Sequence, residues 1–197
     1  MVILIMNYSR SGWLLTSLLV TLGATACSRQ PETVAVQQAS TGQAAAAVPS
    51  TAAELPKYGP APAWKLQDLN GQVVSSEQFK GKVVVIDFWA TWCGPCRLEI
   101  PGYIELHRKY GAEGLVVIGV SLDQGGSEVV KAFAGKMGIN YPLLMGDELI
   151  QTAFGGLEAI PTTFVIDRTG QVRHRKVGAA EAAEYEKSVL AVLREKV

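Results

Sequence analysis

The chain has 197 residues, enough for one domain of ordinary size with additional segments, and 48% of them are hydrophobic, as in proteins with a buried core. Eighteen basic residues balance eighteen acidic ones, so the charge gives no reason to expect a nucleic acid partner. The sequence also contains no glycine-rich phosphate-binding loop and no dinucleotide-binding glycine pattern.

The first 27 residues have the order of an export signal. Arg10 precedes an apolar run from Trp13 to Ala26, which has the length of a signal-peptide core and is short for a membrane span. Small residues then lead to Cys27, an arrangement that resembles a bacterial lipobox. We therefore predict that residues 1–27 are a signal peptide with lipidation at Cys27; cleavage without a lipid and an uncleaved anchor are the alternatives. Each of them places the rest of the chain outside the cytoplasm.

Residues 28–60 differ in composition from the rest of the chain. Alanine, glutamine, threonine, serine and proline dominate, and no hydrophobic period is present. Such a segment cannot bury enough apolar surface to become ordered. We predict a flexible linker over residues 28–60 and a folded domain over residues 61–197.

The domain begins with signals for a hairpin and a central strand. Alternation from Trp64 to Val74 around Asn70-Gly71 predicts a β-hairpin, and a short helical turn is expected at residues 76–79. The apolar run from Val83 to Trp89 is typical of a strand that is covered on both faces. A helix is expected from Cys96 to Tyr110, where Gly111 ends it.

In the second half of the domain, predicted strands and helices follow one another along the chain. The predicted elements are a buried strand at 115–122, a helix at 127–137, a short strand at 141–145, a hairpin of strands at 162–166 and 171–177, and a closing helix at 180–196. The basic residues 173–176 predict a charged edge strand, with a docking surface for an acidic partner as the alternative. Together these elements predict an α/β protein with a mixed sheet and helices on both faces.

Two cysteines separated by two residues carry the strongest chemical signal. Cys93 follows a buried strand and precedes a helix, where free backbone N–H groups and the helix dipole favour a thiolate. Pro95 suits the first helical turn because that position needs no N–H. Cys96 lies one turn further into the helix, so it is expected to be more buried. We predict that Cys93 attacks a substrate disulfide and that Cys96 resolves the mixed disulfide.

Other uses of this cysteine spacing are less consistent with the sequence. A structural zinc site needs about four ligands, and no second cysteine pair is present. Covalent haem attachment needs a histidine after the second cysteine, where this chain has Arg97. A purely structural disulfide is the third alternative, but so short a loop constrains the unfolded chain little. We therefore expect a redox pair and no metal or cofactor.

The segment from Val85 to Cys96 resembles the active-site segment of thioredoxin. The exported N-terminus, the leading hairpin, Glu99, the tract 120–123 and the tract 160–164 are similar to the membrane-anchored TlpA/ResA-type thioredoxins. The resemblance extends from about Pro60 to the C-terminus. It implies a thioredoxin fold with an added N-terminal β-hairpin and the activity of an extracytoplasmic thiol–disulfide oxidoreductase.

The resemblance also implies roles for single residues. Pro161 matches the cis-proline that faces the cysteine pair, and the backbone at Ile160 would bind the substrate chain; a proline that merely starts a strand is the alternative. Asp87 matches the buried acid that assists proton transfer at the inner cysteine, with a structural acid as the alternative. The lysine found near this acid in thioredoxin would fall close to Gly119.

Three further residues complete the predicted site. Glu99 matches the glutamate that tunes the cysteines in ResA-like proteins, and an exposed glutamate on the helix surface is the alternative. Trp92 and Pro95 are expected to form the apolar rim on which partners dock. Trp89, in contrast, is expected in the core.

The sequence therefore predicts a protein-disulfide reductase in the periplasm or its equivalent. The Gly-Pro dipeptide between the cysteines resembles reducing thioredoxins, with potentials near about −270 mV. The resemblance suggests a transmembrane electron donor of the DsbD/CcdA type and acceptors such as apocytochrome c. The alternatives are a thioredoxin-fold copper chaperone, which generally has a wider cysteine spacing and a histidine, and a peroxiredoxin-like peroxidase. The peroxidase needs a threonine three positions before the reactive cysteine, where this chain has Ala90.

Overall fold

A computed structural model describes residues 58–195 of the chain. The predicted signal peptide, its lipidation site at Cys27, and the linker up to residue 57 lie outside the described residues. The last three residues of the predicted linker, 58–60, are described, and two of them, Gly59–Pro60, form a short strand rather than irregular chain.

Eight strands and four helices make up the described part of the chain. The strands are β1 (Gly59–Pro60), β2 (Lys65–Asp68), β3 (Val73–Ser75), β4 (Val83–Trp89), β5 (Leu115–Ser121), β6 (Leu143–Met145), β7 (Thr162–Ile166) and β8 (Gln171–Val177). The helices are α1 (Gly94–Tyr110), α2 (Ser127–Met137), α3 (Glu148–Ala153) and α4 (Ala182–Leu193), and 3-10 turns occur at Ser76–Phe79 and Gly111–Glu113.

The strands form one mixed sheet in the order β1-β8-β7-β4-β5-β6-β2-β3. β4 pairs in parallel with β5 and antiparallel with β7, so it lies in the interior of the sheet. All seven of its residues are buried, which explains the apolar run in the sequence. The added hairpin, β2 and β3, joins the sheet through β6.

Helices pack on both faces of the sheet, which confirms the predicted fold class. Side chains of α1, α2 and α4 share one hydrophobic cluster with Val83, Val85 and Trp89 of β4. Side chains of α3 and β2 share the other with the alternate residues of the same strand. Because strand side chains alternate between faces, Asp87 points to the α1 side of the sheet, where Cys96 is buried.

The bounds of β4, β7, β8 and α2 agree with the sequence prediction. Among the elements that differ, α1 begins two residues earlier than expected, β5 ends one residue earlier, β6 begins at Leu143, and α4 is shorter than the predicted 180–196. The short elements β1 and α3 were not predicted. The helix α3 has only six residues, too few to show a period in the sequence. Its start is nevertheless capped, because the Asp147 carboxylate accepts a hydrogen bond from the Ile150 amide at 2.9 Å.

The prediction that the basic residues 173–176 lie on a charged edge strand was wrong for the first of them. Arg173 is buried, and its guanidinium binds Asp167 at 3.2 Å and Glu195 at 2.5 Å. It therefore ties β8 to the preceding turn and to the end of α4. Further along the strand, Lys176 binds Glu184 at the surface.

Candidate active site

The two cysteines of the motif form a disulfide at the start of α1. Their sulfur atoms are 2.02 Å apart and their Cα atoms 5.3 Å apart. Cys93 is the N-cap residue of the helix, and its sulfur accepts a hydrogen bond from the backbone N–H of Cys96 at 3.2 Å. The free N–H groups of the first helical turn are thus directed at the sulfur that the sequence analysis assigns to attack.

The two sulfur-bearing residues differ in exposure. Cys96 is completely buried, whereas Cys93 retains 5% of its surface. Between and beside them, Gly94 and Pro95 are exposed, and Trp92 is 69% exposed despite its size. A partner molecule can therefore reach the Cys93 side of the disulfide, and it meets a large apolar side chain there.

A loop from another part of the chain faces the disulfide. The peptide bond between Ile160 and Pro161 is cis, as the resemblance implied. The carbonyl oxygen of Ile160 lies 3.7 Å from Sγ of Cys93. The hydroxyl of Thr162 donates to the carbonyl of Ala159 at 2.6 Å and so holds the loop from inside.

Asp87 is a buried carboxyl group on the central strand. It is 1% exposed, and the hydroxyl of Thr163 on β7 donates to its Oδ1 at 3.3 Å. Burial raises the pKa of Asp87 well above its usual value, and the negative charge of Glu99 raises it further. The hydrogen bond from Thr163 opposes this shift. The surroundings of Asp87 therefore favour its protonated form relative to an exposed aspartate.

Glu99 is buried, in contrast to the exposed helix-surface glutamate that was the alternative in the sequence analysis. Its Oε1 accepts hydrogen bonds from the Ala180 amide at 2.7 Å and from the Tyr185 hydroxyl at 2.8 Å. Burial raises the pKa of Glu99, although these hydrogen bonds oppose the shift. Its second oxygen, Oε2, is buried without a hydrogen-bond partner among residues 58–195.

Three hydroxyl groups that the sequence analysis did not assign lie between these two acids. Thr163 Oγ1 is 2.9 Å from the hydroxyl of Tyr103 and 3.3 Å from that of Tyr185. Burial raises the pKa of both tyrosines, so their hydroxyls stay protonated. Glu99 and Tyr185 are 86 positions apart. No local sequence signal could have brought them together.

Asp123 supports the turn that leads into the cysteine motif. Its carboxylate accepts hydrogen bonds from the Thr91 amide at 2.9 Å, the Thr91 hydroxyl at 2.6 Å and the Ser121 hydroxyl at 2.8 Å. The tract 120–123 belongs to the segments that resemble the TlpA/ResA-type thioredoxins, but no local pattern indicated a role for Asp123. The structure shows that this residue fixes the segment two positions before Cys93.

The described part of the chain offers neither a metal site nor a membrane-spanning helix. Residues 58–195 hold no group of three or more His, Cys, Asp or Glu side chains placed to bind a metal ion. No helix within that range has the length and apolar character needed to cross a membrane.

Comparison with known proteins gives matches over most of the domain. A family model described as the AhpC/TSA family matches residues 59–175. The thiol-disulfide oxidoreductase ResA of Bacillus anthracis is 35% identical over 120 residues, which are 60% of this chain and 68% of the relative. The thioredoxin-like protein YneN of Bacillus subtilis (strain 168) is 33% identical over 131 residues, 66% of this chain and 76% of that protein.

Two solved structures that this chain resembles are also thioredoxin-like proteins named for thiol–disulfide exchange. A thiol:disulfide interchange protein of the thioredoxin family from Chlorobium tepidum TLS aligns with a TM-score of 0.64 and 34% identity, over 68% of this chain and 96% of that one. The thioredoxin domain of a thiol-disulfide oxidoreductase from Bacteroides vulgatus aligns with a TM-score of 0.60 and 25% identity, over 68% of this chain and 99% of the other.

Proposed function

The chain belongs to the AhpC/TSA family, and from this premise we propose that it is a thiol–disulfide oxidoreductase that reduces disulfide bonds in other proteins. The observation that carries the proposal is the placement of Cys93. Its sulfur caps a helix, accepts a hydrogen bond from the Cys96 amide and lies 3.7 Å from the carbonyl of Ile160.

In the reduced protein, Cys93 is the attacking thiolate. The Cys96 amide and the dipole of α1 stabilise its negative charge, which increases the thiolate fraction at neutral pH. The thiolate attacks one sulfur of a substrate disulfide. A bond forms between Cys93 and that sulfur, and the other substrate sulfur leaves as a thiolate.

Cys96 completes the reaction from the buried side. It loses its thiol proton, for which the Asp87 carboxylate on the same face of the sheet is the acceptor, and attacks the sulfur of Cys93. The second substrate sulfur leaves and takes up a proton. The substrate disulfide has then gained two electrons, and the Cys93–Cys96 dithiol has become the disulfide seen in the structure.

The surroundings of Cys93 suit a polypeptide substrate. The carbonyl of Ile160 beside the sulfur can accept a hydrogen bond from the backbone of an extended chain. Trp92 and Pro95 are exposed and present apolar surface on the other side of the motif. We assign these residues to substrate binding, and we assign Glu99 to tuning of the site through its charge on Asp87.

The cellular setting follows from the sequence. We propose that the signal-like residues 1–27 direct the domain out of the cytoplasm and that it is held at the membrane by a lipid on Cys27 or by the segment itself. Residues 28–57 link this anchor to the domain. A reductase in that compartment needs electrons from the cytoplasm, so we propose a transmembrane donor of the DsbD/CcdA type, with apocytochrome c or another exported thiol protein as the acceptor.

The peroxidase and copper-binding alternatives have less support. Ala90 is fully buried three positions before Cys93, and the Thr91 hydroxyl beside it is bound to Asp123. A peroxide at Cys93 would therefore lack the threonine hydroxyl that a peroxiredoxin-like peroxidase needs three positions before the reactive cysteine. The two-residue cysteine spacing, without a histidine in the motif, does not match the copper carriers of this fold.

The reduction potential of the Cys93–Cys96 couple tests the proposal. It is measured by equilibrating the full chain with glutathione or dithiothreitol buffers, with Cys96→Ser as the control that cannot form the couple. A potential at or below about −250 mV is expected for a reductase. A potential near about −120 mV would instead make the protein an oxidant and would overturn the assigned direction.

A further inference from the structure

Asp87 has no cationic side chain opposite it on the neighbouring strand, yet it is connected to a second acid. Thr163 Oγ1 lies 3.3 Å from Asp87 Oδ1 and 3.3 Å from the hydroxyl of Tyr185. That hydroxyl lies 2.8 Å from Oε1 of Glu99. Two side-chain hydroxyls therefore separate the two buried carboxyl groups.

The hydroxyl of Thr163 can donate only one hydrogen bond, so its two acceptors exclude each other. When Asp87 is ionised, the proton of Thr163 is directed at the Asp87 carboxylate, and Tyr103 can donate to Thr163. When Asp87 is protonated, it can donate to Thr163. Thr163 then donates to Tyr185, and Tyr185 donates to Glu99.

We infer that Thr163 and Tyr185 are positioning residues that pass a proton between the carboxyl groups of Asp87 and Glu99. In the transfer, the O–H bond of Asp87 breaks as the hydroxyl protons of Thr163 and Tyr185 each move one step, and an O–H bond forms at Glu99. Both hydroxyls stay neutral and nothing is oxidised. The two acids together hold one proton that either can carry.

The unpartnered oxygen of Glu99 supports this inference independently. Oε2 is buried and has no hydrogen-bond partner among the described residues. A permanent negative charge on such an oxygen is costly, whereas a carboxyl group that is protonated part of the time avoids much of the cost. Glu99 also lies beside the loop at Ala180 and is 6% exposed, against 1% for Asp87.

Other charged and titratable groups face the pair from each neighbouring element. They are Cys96 and Tyr103 on α1, Tyr141 before β6, Lys176 on β8 with its partner Glu184, and Tyr185 on α4. Among them Lys176 is the cation that acts on the pair, and it favours the charged form of Glu99. The positive charge of Lys176 thus favours ionised Glu99 while Asp87 carries the proton.

The inference rests on the proposed function, in which Asp87 accepts the proton of Cys96. After each turnover that proton has to leave a fully buried site. The hydroxyl bridge gives it a path toward Glu99 and the edge of the domain, and it resets Asp87 as a carboxylate for the next resolving step.

The test is a titration of both carboxyl groups by NMR in the full chain labelled with 13C at the Asp and Glu carboxyl carbons. The oxidised form is used because Cys93 and Cys96 do not titrate while they form the disulfide. In Tyr185→Phe, the Thr163 hydroxyl has Asp87 as its remaining acceptor, which favours the charged form of Asp87. Glu99 loses the hydrogen bond from the Tyr185 hydroxyl, which had favoured its charged form. The midpoint of Asp87 should therefore fall and that of Glu99 should rise, each by roughly 0.5–1 pH unit.

Two further variants define the pattern. Thr163→Val removes the donor to Asp87, so the midpoint of Asp87 should rise. Tyr110→Phe removes a buried tyrosine hydroxyl that binds Glu186 outside the bridge, so neither midpoint should move. If both midpoints fall in Tyr185→Phe, water has entered a loosened core, and the proposed proton transfer is contradicted. It is also contradicted if neither midpoint moves. Absence of exchange activity in the unmodified chain would contradict only the proposed function, since the titration needs no turnover.

Discussion

Asp87 and Gly119 face each other across the parallel pairing of β4 and β5. A Cβ atom at Gly119 would lie 2.6 Å from Cδ2 of Leu143 and 2.9 Å from Nε1 of Trp89. The strand position opposite the acid therefore has no room for a side chain. By the resemblance, the lysine of thioredoxin would fall close to this position, and the packing of Leu143 and Trp89 excludes such a side chain here.

Gly119→Ala should destabilise the protein by about 1–3 kcal/mol, because the added methyl group overlaps the Leu143 side chain and the indole ring of Trp89. Urea unfolding followed by circular dichroism measures the effect. Gly135→Ala on α2 is the matched control, since a Cβ there meets nothing within 4 Å and should stabilise the helix by about 0.5–1 kcal/mol. Equal effects at the two positions would show that the contact with Trp89 is not the cause.

Cys96→Ser should trap mixed disulfides between Cys93 and its protein partners. The variant keeps the helix-capping thiolate and loses the thiol that resolves the intermediate. Non-reducing gels of cells that express the full chain measure the trapped species. Cys93→Ser is the matched control and should trap little, because Cys96 is completely buried. Trapping by Cys93→Ser alone would reverse the assigned order of attack.

Asp87→Asn should slow dithiol–disulfide exchange while it stabilises the fold. Loss of the proton acceptor for Cys96 is expected to reduce the rate of resolution by about 10–100-fold. This is measured with a disulfide substrate under single-turnover conditions. Glu128→Gln, at an exposed position on α2, is the control and should leave the rate unchanged. A normal rate in Asp87→Asn would remove Asp87 from the mechanism.

The stability gained in Asp87→Asn should depend on pH in a defined direction. Because the pKa of Asp87 is raised in the folded state, the folded protein binds more protons than the unfolded chain above about pH 4. The free energy of unfolding of the unmodified protein therefore falls as pH rises from about 4 through the raised pKa. Urea unfolding at pH 4 and pH 8 should show a larger advantage of the variant at pH 8, and an advantage that shrinks with pH would contradict the assignment.

Asp123→Ala should destabilise the protein by about 2–3 kcal/mol, because the Thr91 amide and two hydroxyls lose their acceptor. Asp123→Asn should cost less than about 1 kcal/mol. Its carbonyl can replace Oδ2, and its amide can donate to the Thr91 hydroxyl. Thermal unfolding of the oxidised forms distinguishes the two variants. Similar losses in both would indicate that the charge of Asp123, and not its hydrogen-bond geometry, holds the turn.

The sequence predicted those features that depend on local pattern. The buried strand at residues 83–89, the helix after the cysteines and the burial of Cys96 follow from hydrophobic runs and helix-start signals. What it could not predict was pairing across long separations. Arg173 was expected on a charged edge strand, but it is buried with Asp167 and Glu195 as partners. For Glu99 the resemblance implied a role at the site, but no local pattern identified Tyr185 as its partner. Tertiary packing determines such contacts, and it produces no periodic pattern of residues in the sequence from which they could be predicted.

The hydrogen bond from the Cys96 amide to the sulfur of Cys93 also limits how strong a reductant the protein can be. The bond is strongest when that sulfur is a thiolate, so it stabilises the dithiol form relative to the disulfide. For a two-electron couple, each ~1.4 kcal/mol of such stabilisation raises the potential by about 30 mV. The hydrogen bond that increases the thiolate fraction of Cys93 thus also makes the dithiol a weaker reductant. A stronger bond would favour attack by Cys93, and a weaker bond would lower the reduction potential.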